Sequence, residues 1–86
     1  MLIDTLDDTR TYLKATLLQC LAEVSTEDRP IPATYKSILR REKQGIKAYT
    51  RVRRDPATGY RLYTGRDIRR ILEYEIKRAD EKSSGS

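Results

Sequence analysis

The tightest constraint on this chain is a helical stripe near its C-terminal end. Ile68, Ile71, Leu72, Ile76 and Ala79 recur at spacings of three and four. That period sets all five on one side of an α-helix. Arg66, Arg69, Arg70, Lys77 and Arg78 populate the rest of the helix surface. Thr64 followed by Asp67 has the form of a capping box with a shortened acid, which starts the helix at 64. Such a helix must bury its stripe, and a chain of 86 residues has little else to bury it against. A chain this short hides only about 60–65% of its unfolded surface, so it has room for one small core.

Three other segments supply apolar cover. Residues 5–24 read as an amphipathic helix through Leu6, Leu13, Leu17, Cys20, Leu21 and Val24. Thr5 and Asp8 form a box-like start, and Asp7 and Asp8 suit the positive end of the helix dipole. The stripe Leu13, Leu17, Cys20, Val24 is heptad-like over about two turns, too short for a coiled coil. A core-facing helix is the expectation, with a dimer contact as the alternative. Residues 25–32 carry Pro30 and Pro32 and break the helix, and Pro32 suits the opening of the next. Residues 33–44 then read as a shorter helix with Tyr35, Ile38 and Leu39 on its apolar side and Gly45 at the C′ position.

After Gly45 the period changes to two. Ile46, Ala48, Thr50 and Val52 alternate with Lys47, Tyr49, Arg51 and Arg53, which reads as a half-buried strand with a basic outer face. Residues 55–59 (Asp-Pro-Ala-Thr-Gly) are turn chemistry, and residues 60–63 (Tyr-Arg-Leu-Tyr) resume the alternation. The pair forms an antiparallel hairpin, which is not stable alone in water and must pack its Ile46, Ala48, Val52 and Leu62 face on the helices. The expected fold is therefore α+β: three helices plus a two-stranded antiparallel wing in a single small domain over 1–80. Residues 81–86 form a disordered polar tail.

Charge is unevenly spread. Residues 1–30 hold three basic and six acidic residues, whereas residues 31–78 hold 14 basic and five acidic. A basic excess confined to one segment points to a polyanionic partner rather than a uniformly solvated surface. There is no histidine, the commonest general base and transition-metal ligand. One cysteine, Cys20, can build neither an internal disulfide nor a thiolate metal site, and its leucine neighbours favour a buried structural thiol. Phosphate-cradling glycine loops are missing, and the carboxylate pairs Asp7/Asp8 and Glu73/Glu75 read as a helix-start charge pair and an exposed helix face. No enzyme activity, cofactor or metal is expected. No segment approaches the ~20 apolar residues of a membrane span, and the N-terminus has no basic secretory region. The expected location is cytoplasmic, on the nucleoid.

The hairpin carries Arg51, Arg53, Arg54 and Arg61 with Tyr49 and Tyr63 at outward positions. Guanidinium groups make planar multi-donor contacts to phosphate, and a hairpin tip can meet the minor groove, where arginine responds to groove width. Lysine would protect an edge hairpin from aggregation equally well, so the arginine bias favours nucleic acid. Helix 33–44 presents Thr34, Lys36, Ser37, Arg40, Arg41 and Lys43 beside it, with Lys47 between the two elements. A short basic helix after another helix has the form of a recognition helix, and Arg40 and Arg41 are the candidates for guanine edges.

The runs 38–46 (Ile-Leu-Arg-Arg-Glu-Lys-Gln-Gly-Ile), 51–54 and 58–71 (Thr-Gly-Tyr-Arg-Leu-Tyr-Thr-Gly-Arg-Asp-Ile-Arg-Arg-Ile) resemble MerR-like and excisionase-like winged-helix DNA-binding proteins, including small one-domain BldC-like regulators. The likeness covers about residues 33–76. Its most specific part is Gly59-Tyr60-Arg61-Leu62-Tyr63 with Asp67-Ile68. It implies Lys36, Arg40 and Arg41 on a recognition helix, Arg51, Arg53, Arg54 and Arg61 on a wing, and Tyr60, Tyr63, Ile68 and Ile71 holding the wing to the core. The chain departs from that pattern before residue 33. A helix of about 20 residues and a proline-containing loop stand where the family has a short helix and tight turn, and the family's dimerisation helix and effector domain are missing. The expected partner is double-stranded DNA, bound as a homodimer or by side-by-side copies, with no membrane and no small-molecule effector. The alternatives are a protein-interaction adaptor using the acidic N-terminal helix, and structured-RNA binding.

Overall fold

A computed structural model describes residues 1–84, with side chains described as far as Lys82. After a 3-10 turn at Leu2–Thr5 come β1 (Thr11–Tyr12), α1 (Lys14–Val24), α2 (Tyr35–Lys43) and a single helical turn, α3 (Lys47–Thr50). The hairpin β2 (Arg53–Arg54) and β3 (Arg61–Thr64) follows, and α4 (Gly65–Ser84) closes the chain. The fold is a small α+β domain of four helices and an antiparallel sheet. The sheet has three strands in the order β1-β3-β2, not the two expected. The third is β1, paired Thr11 to Thr64 and Tyr12 to Tyr63.

α4 organises the core, packing on α1, α3 and β3. Its stripe behaves as its period requires: Ile68 and Ile71 are fully buried and Leu72 nearly so, against Leu17, Cys20, Leu21 and Ile38. The capping box is real and reciprocal. The Asp67 N–H donates to Thr64 Oγ1 at 3.0 Å and the Thr64 N–H to Asp67 Oδ2 at 3.1 Å. Position 65 takes a glycine because the chain passes hard against residues 7–8 there: a Cβ at Gly65 would collide with the Asp7 carbonyl. Of the expected polar tail, 81–84 continue α4, and 85–86 lie outside the described residues.

The helix expected over 5–24 is half that length. Asp7 Oδ1 accepts from both the N–H and the hydroxyl of Thr9, and the Arg10 N–H donates to the Asp7 carbonyl, so this segment closes a local turn. Side chains of this type offer the backbone an alternative to helix. The next residues then pair with β3. Two consequences follow for the apolar stripe. Leu13 becomes the exposed residue before α1 rather than part of the face, and Leu17, Cys20 and Leu21 are buried in the molecule's own core. α1 therefore places Leu17, Cys20 and Leu21 in the core rather than on a surface stripe. The acids of the N-terminal segment do not share a helix either; Asp8 pairs with Arg69, and Glu23 accepts the N–H groups of Leu2 and Ile3.

The strand expected over 46–52 is also replaced. The Tyr49 and Thr50 N–H groups both donate to the Ile46 carbonyl at 3.0 Å, giving one turn of helix, and only Arg53–Arg54 pair with β3. A strand would have put Tyr49 in solvent beside Lys47 and Arg51. The turn instead buries its ring against α4, edge-on to Tyr74 with centroids 6.2 Å apart. Burial of one aromatic side chain outweighs the weak strand preference of a short alternating run. α2 is capped by Thr34, whose Oγ1 accepts the Ser37 N–H, so Pro32 lies before the helix rather than in it. Gly45 ends it with φ +75°, the left-handed conformation a C′ glycine supplies.

Candidate nucleic-acid interface

α2 has two sides with opposite chemistry. Ile38 and Arg41 are buried, while Lys36, Leu39, Arg40 and Lys43 are exposed. Spacings of three and four make the exposed group a single ridge along the helix. Across a shallow groove from this ridge stands the hairpin, and Lys36, Arg40 and Lys43 share the lining with Arg54, Arg61 and Glu42. The hairpin turn holds its shape through Asp55. Its N–H donates to the Tyr60 carbonyl, its carbonyl accepts the Gly59 N–H at 2.7 Å, and its Oδ1 accepts the Ala57 N–H.

The expected contact residues therefore divide. Lys36, Arg40, Lys43, Lys47, Arg51, Arg53 and Arg54 are exposed. Among the described residues, none of the first six is in an ion pair, and Arg54 approaches Glu42 Oε2 only at 3.6 Å with most of its side chain in solvent. Thr34 and Ser37 serve the helix cap and share a 3.0 Å hydroxyl contact, so they form the start of the ridge rather than free donors.

Two arginines are withdrawn from the surface, contrary to expectation. Arg41 Nε donates to Glu75 Oε1 at 3.0 Å, and both side chains are under one-tenth exposed. The Tyr49 hydroxyl donates to the same oxygen at 2.7 Å, so one carboxylate ties α2, α3 and α4 together. Burial raises the Tyr49 phenol well above its ordinary value, the hydrogen bond to Glu75 adds to it, and the hydrogen bond to Glu75 also raises the Arg41 guanidinium. Glu75 is thus interior, not part of an exposed helix face. Arg61 is held in the same manner on the hairpin. It donates through Nε and Nη2 to both oxygens of Glu42, at 2.6 and 3.0 Å, and through Nη1 to the Tyr35 hydroxyl. Its guanidinium is raised mainly by the Glu42 hydrogen bond, which fixes the hairpin to α2.

The aromatic side chains are sorted in the same way. Tyr63, outward by the alternation but against the core by the resemblance, is almost fully buried, and burial pushes its phenol up to about 12. Tyr60, expected to hold the hairpin to the core, is 64% exposed at the turn. Tyr35 carries Lys14 Nζ 4.1 Å from its ring centre. Cys20 is fully buried, and burial raises its thiol. Among the described residues no cluster of metal-ligating side chains forms, and no helix is long and apolar enough to cross a membrane. The chain matches no protein-family model, no curated protein and no solved structure.

Proposed function

We propose that this protein binds double-stranded DNA as a small winged-helix domain, with α2 in the major groove and the β2–β3 hairpin as a wing on the adjacent phosphates. The observation that carries this reading is the shared groove. A cationic ridge on α2, with no ion pair to Lys36, Arg40 or Lys43 among the described residues, faces a hairpin whose Arg53 and Arg54 remain in solvent, while Arg61 and Glu42 fix the angle between them. Arg40 is the candidate for guanine edges, and Lys36 and Lys43 contact phosphate. The order α1, α2, the short turn α3, hairpin, α4 supports the winged-helix assignment, and the Gly59–Tyr63 and Asp67–Ile68 likeness to MerR-like proteins agrees with it.

The protein then acts by occupying or shaping DNA, as a small transcription regulator or a recombination accessory factor on the nucleoid, with no cofactor or effector. A single module makes few contacts, so side-by-side copies on adjacent sites raise avidity. The test is a fluorescence-anisotropy titration with duplex DNA, single-stranded DNA and RNA over a salt series. Duplex binds tightest, and with six to eight phosphate contacts log K falls against log salt with a slope of about −5 to −7. R53A/R54A weakens all duplexes about tenfold or more at unchanged melting temperature. A flat salt response, or tighter binding to RNA, rejects the reading.

A further inference from the structure

A second cationic groove lies on the opposite side of the α2 ridge from the hairpin. It runs between the 25–34 loop, the end of α2 and the C-terminal half of α4, lined by Pro32, Arg40, Arg41, Glu75, Arg78 and Lys82. Its charges do not cancel. Glu75 is occupied by Arg41 and Tyr49, which leaves Arg40, Arg78 and Lys82 as exposed cations on its walls. Arg78 and Lys82 are four residues apart and so stand one above the other on α4. Arg78 is steadied by a 3.1 Å hydrogen bond from Nη1 to the Tyr74 hydroxyl. Arg40 lines both grooves, so α2 is a ridge with positive walls on either side.

We infer that Arg78 and Lys82 bind the phosphate backbone of the second DNA strand, the one across the major groove from the strand under the hairpin. This rests on the DNA-binding reading above and extends it. A helix seated in a major groove about 12 Å wide is flanked by two phosphate backbones, one on each side. The hairpin supplies cations to one flank only. The α4 groove supplies them to the other, which makes the contact a two-sided clamp around α2.

The test compares salt slopes for one duplex among the whole protein, R53A/R54A, R78A/K82A and R66A/K77A. The last pair removes the same charge from α4, but Arg66 and Lys77 lie about 100° around the helix from Arg78. R78A/K82A shallows the slope by nearly two and weakens binding several-fold, while R66A/K77A changes neither. Circular-dichroism melting checks that all variants stay folded. An unchanged slope in R78A/K82A with a shallower one in R53A/R54A overturns the second flank and leaves the DNA reading standing. An equal fall in R66A/K77A also overturns it, since diffuse charge then accounts for the effect. Unchanged slopes in every variant overturn the DNA reading itself.

Discussion

Arg40 and Arg41 are neighbours in the chain and opposites in the molecule. Arg40 stands in solvent between two grooves; Arg41 is interior, bonded to Glu75. The hairpin repeats the contrast, with Arg53 and Arg54 outside and Arg61 clamped by Glu42. The difference teaches that an arginine-rich segment performs two kinds of work, and that helix and strand register decides which residue does which. The inner arginines hold the elements in place. The outer ones stay largely in solvent, on a ridge and a hairpin whose places the inner ones fix.

Breaking the inner set has the largest expected effect. Glu75→Ala removes the common acceptor of Arg41 and Tyr49 and leaves a guanidinium buried and unpaired, which costs about 3–5 kcal/mol. For a domain of this size that lowers the melting temperature by about 15 °C or more, seen by circular dichroism. Replacing the pair together, Arg41→Met with Glu75→Leu, recovers much of the loss, because apolar residues of similar volume often match a buried ion pair. If Glu75→Ala melts like the parent, the pair is not interior and the contrast with Arg40 fails.

Alkali weakens the same interior next. Burial raises the Tyr63 phenol from 10.0 to about 12, and the Tyr49 phenol is raised as well. A group whose folded pKa lies above its unfolded value favours folding in its protonated form. Its contribution is fully present below pH 10 and is lost as pH rises through about 12. Chemical-denaturation midpoints should therefore hold to about pH 10 and fall beyond it. Ionisation of the Tyr49 or Tyr63 ring at its ordinary pH in the folded protein would contradict the burial.

Much of this was legible in the sequence where the signal is local. The Ile68–Ala79 stripe, the Thr64/Asp67 box, Gly45 and the Asp55–Gly59 turn all stand where spacing and residue type put them. The misread segments depend on partners far along the chain. The alternation over 46–52 also places Ile46 and Tyr49 three apart, a helical spacing, and the turn is favoured by Tyr74 and Glu75 of α4, which receive the Tyr49 ring and hydroxyl. Residues 7–10 leave the helical pattern for a local turn on Asp7, and Thr11 and Tyr12 leave it because β3 pairs with them from more than fifty residues away. Arg41 did carry a signal. It follows the buried Ile38 by three, and Glu75 follows Ile71 and Leu72 by four and three, so the apolar stripes of α2 and α4 each contain one charge of opposite sign. A carboxylate inside an apolar stripe requires a cation opposite it.

The smallest expected change in stability is also the one that separates the two arginines most sharply. Arg40→Ala deletes an exposed side chain that makes no ion pair among the described residues, so the melting temperature stays where it was, as is usual for surface positions without special contacts. Duplex affinity nevertheless falls, by about tenfold or more if Arg40 reads a guanine edge, and the loss is confined to sequences carrying that guanine. Arg41→Ala gives the reverse pattern: a large drop in melting temperature, and duplex affinity that recovers at temperatures where the variant is folded. If Arg40→Ala weakens every duplex equally, Arg40 is a phosphate contact and sequence reading must lie elsewhere on the ridge. If it weakens none, α2 does not enter the groove, whatever its exposed charge.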